Sequence, residues 1–478
     1  MDNEYGFYWY HSHFRAYYND AIRGPITILP KRSRTRPFES LASSDADVET
    51  LLQAERDAFP VLLTDWYHDI SDVVLREYNR TGVFPHCVDS LLANGMGRVQ
   101  CLPQKVLDCG PDLCLGPETS SAMPTSSSGN LEMPRSSSAA SQDMTLMDDT
   151  ANSISTAELV PMTKSVPPSS QGPVGSMPQR KRQMMDMSDM ATSLGPRGCT
   201  PPTMFRPGYN ASDLPPETCT KTMAPLLTIP ANSSSGWLAI NLVNAGSTSK
   251  LTVSLDSHTM YVYAADGLFV RMQEVEVCLK RHVHILTWLT LQVLPIGLGE
   301  RYSVMIKLDQ TPGEYLLRFA ATPVGDMQQV IEDVAVVQYK RSVNESSSSG
   351  MDSSPEMMKS MTASILAGDT DGVHMLANSS ARTAASTLRP QDLGPFDRIA
   401  PPRHNNNVVT KNLNVSQTGI VTWVVDRYAY SEPKIPVING NISDGWNANT
   451  TLHMPFNATI DLIMRISPDS MDTVCPKM

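Results

Sequence analysis

Apolar side chains in this chain recur at alternate positions, and that period restricts the fold more than any other feature. Leu251, Val253 and Leu255 form one such set; Tyr302, Val304, Ile306 and Leu308 form a second; Ile460, Leu462, Met464 and Ile466 form a third. A period of two sends successive side chains to opposite faces of a strand, so each set reads as a half-buried β-strand. After Leu308, the run Gln310-Thr311-Pro312-Gly313 supplies a turn and Tyr315 to Phe319 a return strand, which together read as a hairpin. Helical spacing is scarce apart from Val48 to Phe59. The expected class is all-β, and Greek-key sandwiches are the natural way to bury one face of each sheet.

A chain of 478 residues is long enough for two or three domains, yet its apolar fraction of 41% is lean for a fully folded protein. The leanness is local. From about Gly116 to Gly198 the sequence is dominated by Ser, Met, Pro, Thr and Gly, as in Thr125-Ser126-Ser127-Ser128-Gly129. Such a stretch buries too little apolar surface to offset its chain entropy, and disorder is expected there and from about Asn344 to Arg403. The formal charge of -11 argues against general nucleic-acid binding, which wants a basic face. The one basic cluster, Arg180-Lys181-Arg182, falls in the insertion and reads as a solvated turn. No run of eighteen apolar residues is present, so no transmembrane helix is expected. The start, Met1-Asp2-Asn3-Glu4, is acidic and polar, unlike a signal peptide.

Nine Asn-x-Ser/Thr acceptors occur, at Asn79, Asn210, Asn232, Asn344, Asn378, Asn414, Asn441, Asn449 and Asn457. A Ser-rich chain produces some by chance, so Asn210, Asn232, Asn344 and Asn378 carry little weight. Asn79, Asn414 and the cluster of Asn441, Asn449 and Asn457 are the glycosylation candidates and favour a secretory-pathway protein. Cysteine usage agrees. Cys87, Cys101, Cys109, Cys114, Cys199 and Cys219 flank the insertion, and disulfides that pin its ends are expected, with fifteen connectivities possible for six cysteines. A zinc reading of Cys109 and Cys114 lacks a second close pair to complete four ligands.

The candidate chemistry lies in Trp9-Tyr10-His11-Ser12-His13. In a strand, residues i and i+2 share a face and rise about 3.3 Å per residue, which sets the two imidazoles roughly 6.6 Å apart. That spacing suits two adjacent metals with one ligand each, or one metal with converging rings. Imidazole serves Cu, Zn, Fe and Ni alike, and an arbitrary His-x-His is more often a pair of ordinary strand histidines. A second such pair, His282-Val283-His284, has no aromatic flank. The methionines 184, 185, 187 and 190, with 357, 358 and 361, are soft Cu(I) donors in type, but low-complexity drift is the preferred reading.

The flanks of the first pair add a resemblance. Gly6 to His13, followed by Asp20-Ala21-Ile22-Arg23-Gly24-Pro25-Ile26-Thr27-Ile28, is similar to the first-domain copper motif of multicopper oxidases, the family of laccases, ascorbate oxidases and fungal ferroxidases. Leu63-Thr64-Asp65-Trp66-Tyr67-His68-Asp69 resembles the entry to their second cupredoxin domain. Asp256-Ser257-His258-Thr259-Met260 with Ala264-Ala265-Asp266-Gly267, and Gly299 to Val304, agree. The stretch from Val421-Thr422-Trp423 to Met454-Pro455-Phe456-Asn457 looks like the start of the third. With Leu91 to Pro103 the likeness is to the ascomycete branch, including oxidases associated with spore pigment.

The resemblance implies tandem cupredoxin-like Greek-key β-sandwich domains with long disordered insertions. Their bounds would be a partial first domain at 1–60, a second at 61–340 with its insertion at about 116–198, a low-complexity linker at 341–404 and a partial third domain at 405–478. It also implies copper of types 1, 2 and 3. A blue copper site takes single electrons from a reducing substrate, and a three-copper cluster reduces dioxygen to water. His11 and His13 would each bind one of the paired type 3 coppers. The phenolic or pigment-precursor class is the first expectation for substrate, ferrous iron the second, and a secreted or cell-wall location is implied.

The family's other motifs are absent. Neither the first-domain His-x-His-Gly nor the third-domain His-Pro-x-His-x-His and His-Cys-His occurs, so the chain looks truncated at both ends and inactive as it stands. His68 and His258 look like structural positions, His374 and His404 fall in linker sequence, and His453 reads as a strand or loop histidine. The stretch 277–292 interrupts a family-like strand, and removing it joins Glu274-Val275-Glu276 to Val293-Leu294-Pro295. It begins with Val277-Cys278, as the chain's last residues begin with Val474-Cys475, and GTATGT, a common fungal 5′ splice signal, encodes Val-Cys. Both 277–292 and 474–478 therefore read as retained introns. The competing functional reading is a non-catalytic cupredoxin-like secreted binding or structural protein.

Overall fold

The computed structural model describes residues 4–113, 193–271, 274–279, 283–288, 291–323, 328–340, 362–365, 370–397, 408–419, 422–430, 439 and 449–467; for 274–279 and 283–288 only the backbone is described. All belong to one unit, Met1–Ala122 with Ala191–Met478. The Arg180-Lys181-Arg182 cluster, both methionine clusters, Asn344, Asn441, Cys114, His282 and His404 lie outside the described residues.

The chain opens with a hairpin of β1 (Gly6–His11) and β2 (Arg23–Ile28), then α1 (Asp45–Arg56), β3 (Phe59–Trp66), α2 (Ser71–Thr81), β4 (Ser90–Ala93) and α3 (Gln104–Asp108). Beyond the insertion come β5 (Thr228–Asn232), β6 (Trp237–Asn244), β7 (Leu251–Leu255), β8 (Tyr261–Ala265) and β9 (Leu268–Phe269). A separate two-stranded hairpin, β10 (Glu274–Leu279) with β11 (Val283–Trp288), precedes β12 (Val293–Ile296), β13 (Arg301–Lys307), β14 (Glu314–Ala321) and β15 (Glu332–Lys340). The last described strands are β16 (Val408–Gly419), β17 (Thr422–Val425) and β18 (Thr459–Ile466).

Two sheets make the sandwich: a six-stranded sheet in the order β4-β3-β6-β13-β8-β9 and a five-stranded sheet in the order β12-β7-β14-β15-β5. Their facing sides interlock through Val61, Leu63, Leu91, Ile240, Leu242 and Val304 on one sheet and Ile229, Leu251, Val253, Leu255, Phe319 and Val337 on the other. Each fully buried Leu or Phe contributes about 1.5–3 kcal/mol of transfer free energy. The outer faces are covered too. Phe38, Leu51 and Ala54, from α1 and the turn before it, pack on Trp237, Ala239, Tyr263 and Met305. Phe7 of β1 packs on Leu62, Val243 and Ala245. On the other sheet, Met375 and Ala381 pack on Val293 and Ala320 of the two strands flanking β7, and all five residues of β7 are buried, Thr252 and Ser254 included, where half-burial was expected.

Two expectations change here. The Gln310 to Gly313 turn does not close a hairpin: β13 pairs with β6 and β8, and β14 pairs with β7 and β15, so the turn arches from one sheet to the other. Residues 370–397, expected as linker, pack on the sandwich instead. Met375 and Ala381 sit with Val293 and Ala320, and Leu388 joins the main core. Small and flexible side chains fill a flat outer sheet face closely, so a segment poor in large hydrophobic residues is still ordered there.

Disulfides join Cys87 to Cys199 and Cys101 to Cys219, bridging the insertion from both sides as the cysteine positions suggested. Cys109 is disulfide-bonded as well, which leaves no thiolate for the zinc reading. No described helix is long and apolar enough to cross a membrane.

Candidate metal centre

His11 is the last residue of β1, and its cross-strand partner is Arg23 of β2. The strand does not continue through His13. Only one further bond, from Ser12 N–H to the Ile22 carbonyl at 3.0 Å, prolongs the pairing, after which Ser12 Oγ accepts from Phe14 N–H at 3.1 Å and the chain turns. The turn draws the two imidazoles together: their centroids are 4.5 Å apart with planes at 36°, closer than the 6.6 Å or so of an extended strand.

His11 is held from below. Trp9, two residues back on the same strand face, stacks on its ring at 3.9 Å and 16°, while Trp9 itself packs against the Phe7, Leu62, Val243 and Ala245 cluster. Tyr18 stands edge-on at 5.9 Å. On the opposite strand face the exposed Tyr10 ring lies over Gly24, where a Cβ would meet Tyr10 Oη at 2.5 Å, so a larger residue at that cross-strand site would push the ring aside. Burial and the neighbouring His13 both lower the pKa of His11, favouring the neutral imidazole that ligates metal.

The loop behind the pair is clamped to the sandwich. Asp20 accepts from Ser71 N–H at 2.8 Å and Ser71 Oγ at 2.6 Å, capping α2, whose own N-cap position, Ile70, has no side chain able to do so. Tyr17 Oη donates to Asp72 at 3.3 Å. Arg23 donates to the Tyr18 carbonyl at 2.7 Å and reaches the Ala245 carbonyl at 3.3 Å. Beside it, buried Asp65 accepts from the N–H groups of Ser247, Thr248 and Ser249 at 2.7–2.9 Å, fixing the loop that meets the hairpin. Trp9, Asp20 and Asp65 entered the sequence reading only as members of motifs and Tyr18 not at all, and none was given this supporting role. The period-two spacing of Trp9 and His11 carried a usable signal, but the other contacts are long-range.

As a donor set, two adjacent imidazoles suit copper in kind, but they do not close a site by themselves. Among the described residues the one group of three potential ligands is Cys87, Cys199 and Glu217, and there the two sulfurs are bonded to each other. The remaining histidines have other roles. His258 is buried, with Nδ1 2.7 Å from the Asp256 carbonyl and Nε2 against Tyr339 Oη. His86 is buried between the carbonyls of Phe84 and Thr200, both at 3.1 Å. His68 is exposed, 4.0 Å from Asp89. His374 lies in the packed segment 370–397 with Nε2 buried, and His453 is exposed. His284 falls on β11, where side chains are not described.

No family model matches the chain. It is similar to curated ascomycete proteins, among them the laccase abr2 of Aspergillus fumigatus, 27% identical over 342 residues, which are 70% of this chain and 43% of that protein. A laccase of Pestalotiopsis fici is 23% identical over 429 residues, 89% of this chain and 52% of the other. Laccase-1 of Emericella nidulans is 26% identical over 351 residues, 70% and 42% of the two. The chain is thus similar to fungal laccases and multicopper oxidases. Among solved structures, the multicopper oxidase Fet3p is 12% identical with a TM-score of 0.39, covering 91% of this chain and 48% of that one. The chain spans about half the length of the curated relatives it matches.

Proposed function

We propose that this chain is part of a copper-dependent oxidase that takes single electrons from phenolic or pigment-precursor substrates. Four such oxidations, with four protons, reduce one dioxygen to two waters. The observation that carries the reading is the pairing of His11 and His13, side by side at 4.5 Å on a hairpin clamped to the sandwich. Each would give one nitrogen to one of two paired type 3 coppers, and copper, when bound, supplies the one-electron redox chemistry.

The chain's own residues prepare the pair. Trp9 fixes the plane of His11, so the nitrogen is presented in one direction without loss of ring freedom on binding. Burial keeps that ring neutral. Asp20, Arg23 and Asp65 lock the hairpin to the rest of the molecule, which supports the geometry from outside the ligand pair. Relatives bearing the name laccase favour a phenolic over a ferrous substrate. Passage through the secretory pathway, with a secreted or wall-associated product, is part of the same reading and is supported by the disulfides.

Equilibrium dialysis of the full chain against Cu(II) tests it. Binding is expected, and His11→Ala and His13→Ala should each abolish it. Copper uptake unchanged in both variants would overturn the assignment of the pair. Oxygen uptake with a phenol and with ferrous iron, by a protein that also supplies the remaining copper ligands, then ranks the substrates.

A further inference from the structure

We propose that Asn210 and Asn232 are N-glycan acceptors of this chain, and that Asn79 and Asn378 are left bare. The four share the Asn-x-Ser/Thr spacing, and their surroundings separate them. Asn210 is exposed, and its Oδ1 accepts from Ser212 N–H at 2.8 Å and from Ser212 Oγ at 2.6 Å. Asn232 is built alike: exposed, with Oδ1 accepting from Ser234 N–H at 3.1 Å and Ser234 Oγ at 2.7 Å. In both, the hydroxyl that defines the sequon is bonded to the acceptor's own carbonyl oxygen, and Nδ2 is left uncommitted among the described residues.

Asn79 and Asn378 fail on separate grounds. Asn79 lies inside α2, its Nδ2 donates to the Leu75 carbonyl at 2.9 Å, and the hydroxyl of Thr81 is turned away to the Glu77 carbonyl at 2.8 Å. Thr81 is only 3% exposed. Asn378 has the turn, with Ser380 N–H on Oδ1 at 3.1 Å, but it is buried and its Nδ2 donates to the Pro111 carbonyl at 2.9 Å. A glycan on that nitrogen would break the bond and force the 370–397 segment off the sandwich. The sequence alone had ranked these acceptors otherwise, setting Asn210 and Asn232 aside and keeping Asn79.

The donor is a lipid-pyrophosphate-linked oligosaccharide. Nδ2 attacks C1 of its first sugar, an N–C bond forms, the C1–O bond to pyrophosphate breaks, and the lipid pyrophosphate leaves with the bonding pair. One Nδ2 proton passes to a base of the transferase, and nothing is oxidised or reduced. Two donors on Oδ1 draw charge toward the oxygen and make that proton easier to remove. The proposal rests on passage through the secretory pathway and not on the copper reading, so loss of copper binding at His11 and His13 leaves it untouched.

The test is site occupancy in the full chain, secreted from a yeast behind an added leader, or glycosylated in microsomes if secretion fails. Enzymatic release of glycans in heavy-oxygen water marks each former acceptor as labelled aspartate, read by peptide mass spectrometry. Label is expected at 210 and 232 and not at 79 or 378. Ser212→Ala and Ser234→Ala should each erase their own site, while Ser212→Thr keeps it. Absence of label at both 210 and 232, or comparable label at 79 or 378, overturns the proposal.

Discussion

The indole of Trp9 lies flat on the imidazole of His11, with ring centroids 3.9 Å apart and planes 16° from parallel, and it ties that histidine to the apolar cluster of Phe7, Leu62, Val243 and Ala245. A ligand held by its neighbour loses less freedom when it binds. Trp9→Leu should weaken Cu(II) binding by the pair on the order of tenfold, the smaller end of what outer-shell changes cost. Bound Cu(II) should also quench Trp9 emission strongly, so the titration in wild type and Trp9→Phe shows whether the quenched signal belongs to this indole. Equal affinity in Trp9→Leu and wild type would deny the stack its positioning role.

Asp333 gives the chain a pH dependence of predictable sign. It is fully buried, accepting from Arg98 N–H at 2.5 Å and Val334 N–H at 2.7 Å, and burial pushes its carboxyl up to about 7. The folded pKa exceeds the unfolded value of about 3.9, so the folded state binds the proton more tightly. Its contribution to stability is full below the unfolded pKa and fades as pH rises through 7, by up to about 4 kcal/mol over three pH units. Urea unfolding from pH 4 to 8 should show this fall in wild type and a flatter profile in Asp333→Asn. Parallel profiles would show that Asp333 is not its source.

The two bridges across the insertion close very long loops. Cys101 and Cys219 are separated by 118 residues, and Cys87 and Cys199 by 112. Chain-entropy arguments assign about 4.7 kcal/mol to a loop of roughly 100 residues, and a second bridge across the same insertion adds less because the first has already shortened the path. The Cys101→Ala, Cys219→Ala double variant should therefore lose less than half of the stability that a variant lacking both bridges loses. Removal of all four cysteines should unfold the sandwich at 37 °C. Circular dichroism melts under non-reducing conditions measure both.

What could be read in advance follows the range of the interactions. The strand class, the histidine pair and the cysteines around the insertion are signals written within a few residues, and they were legible. The Gln310 to Gly313 turn was legible as a reversal but not as an arch, because turn chemistry sets the direction of the chain and not the sheet it enters. The clamp behind the histidine pair was out of reach, since Asp65 acts on Ser247 to Ser249 from about 180 positions away. Order in 370–397 was hidden for a related reason: Met375 and Ala381 become core residues only once Val293 and Ala320 present a surface for them.

The stretch 277–292 yields the last prediction. Most of it forms the self-paired hairpin of β10 and β11, which joins neither sheet of the sandwich. Its final two residues do join: Leu291 is a core residue bridged to Met260, and Gln292 Oε1 accepts from Ser386 N–H at 2.9 Å. Deletion of 277–292 would place Val275 and Glu276 directly before Val293, in the positions of Leu291 and Gln292. An apolar residue would then replace an apolar one, and a carboxylate acceptor would replace the amide acceptor, so the alternation into β12 is kept. The deletion protein should therefore fold, with a Tm at or above that of the full chain, losing at most about 1.5 kcal/mol for the smaller core side chain. A variant that also removes Val275 and Glu276 shifts the register by two and puts Gln273 and Glu274 there instead, a polar residue at the core position, and it should be clearly less stable. Mature transcript lacking the sixteen codons would identify the insertion as a retained intron, whereas a deletion protein that fails to fold would show the hairpin to be an integral part of the sandwich.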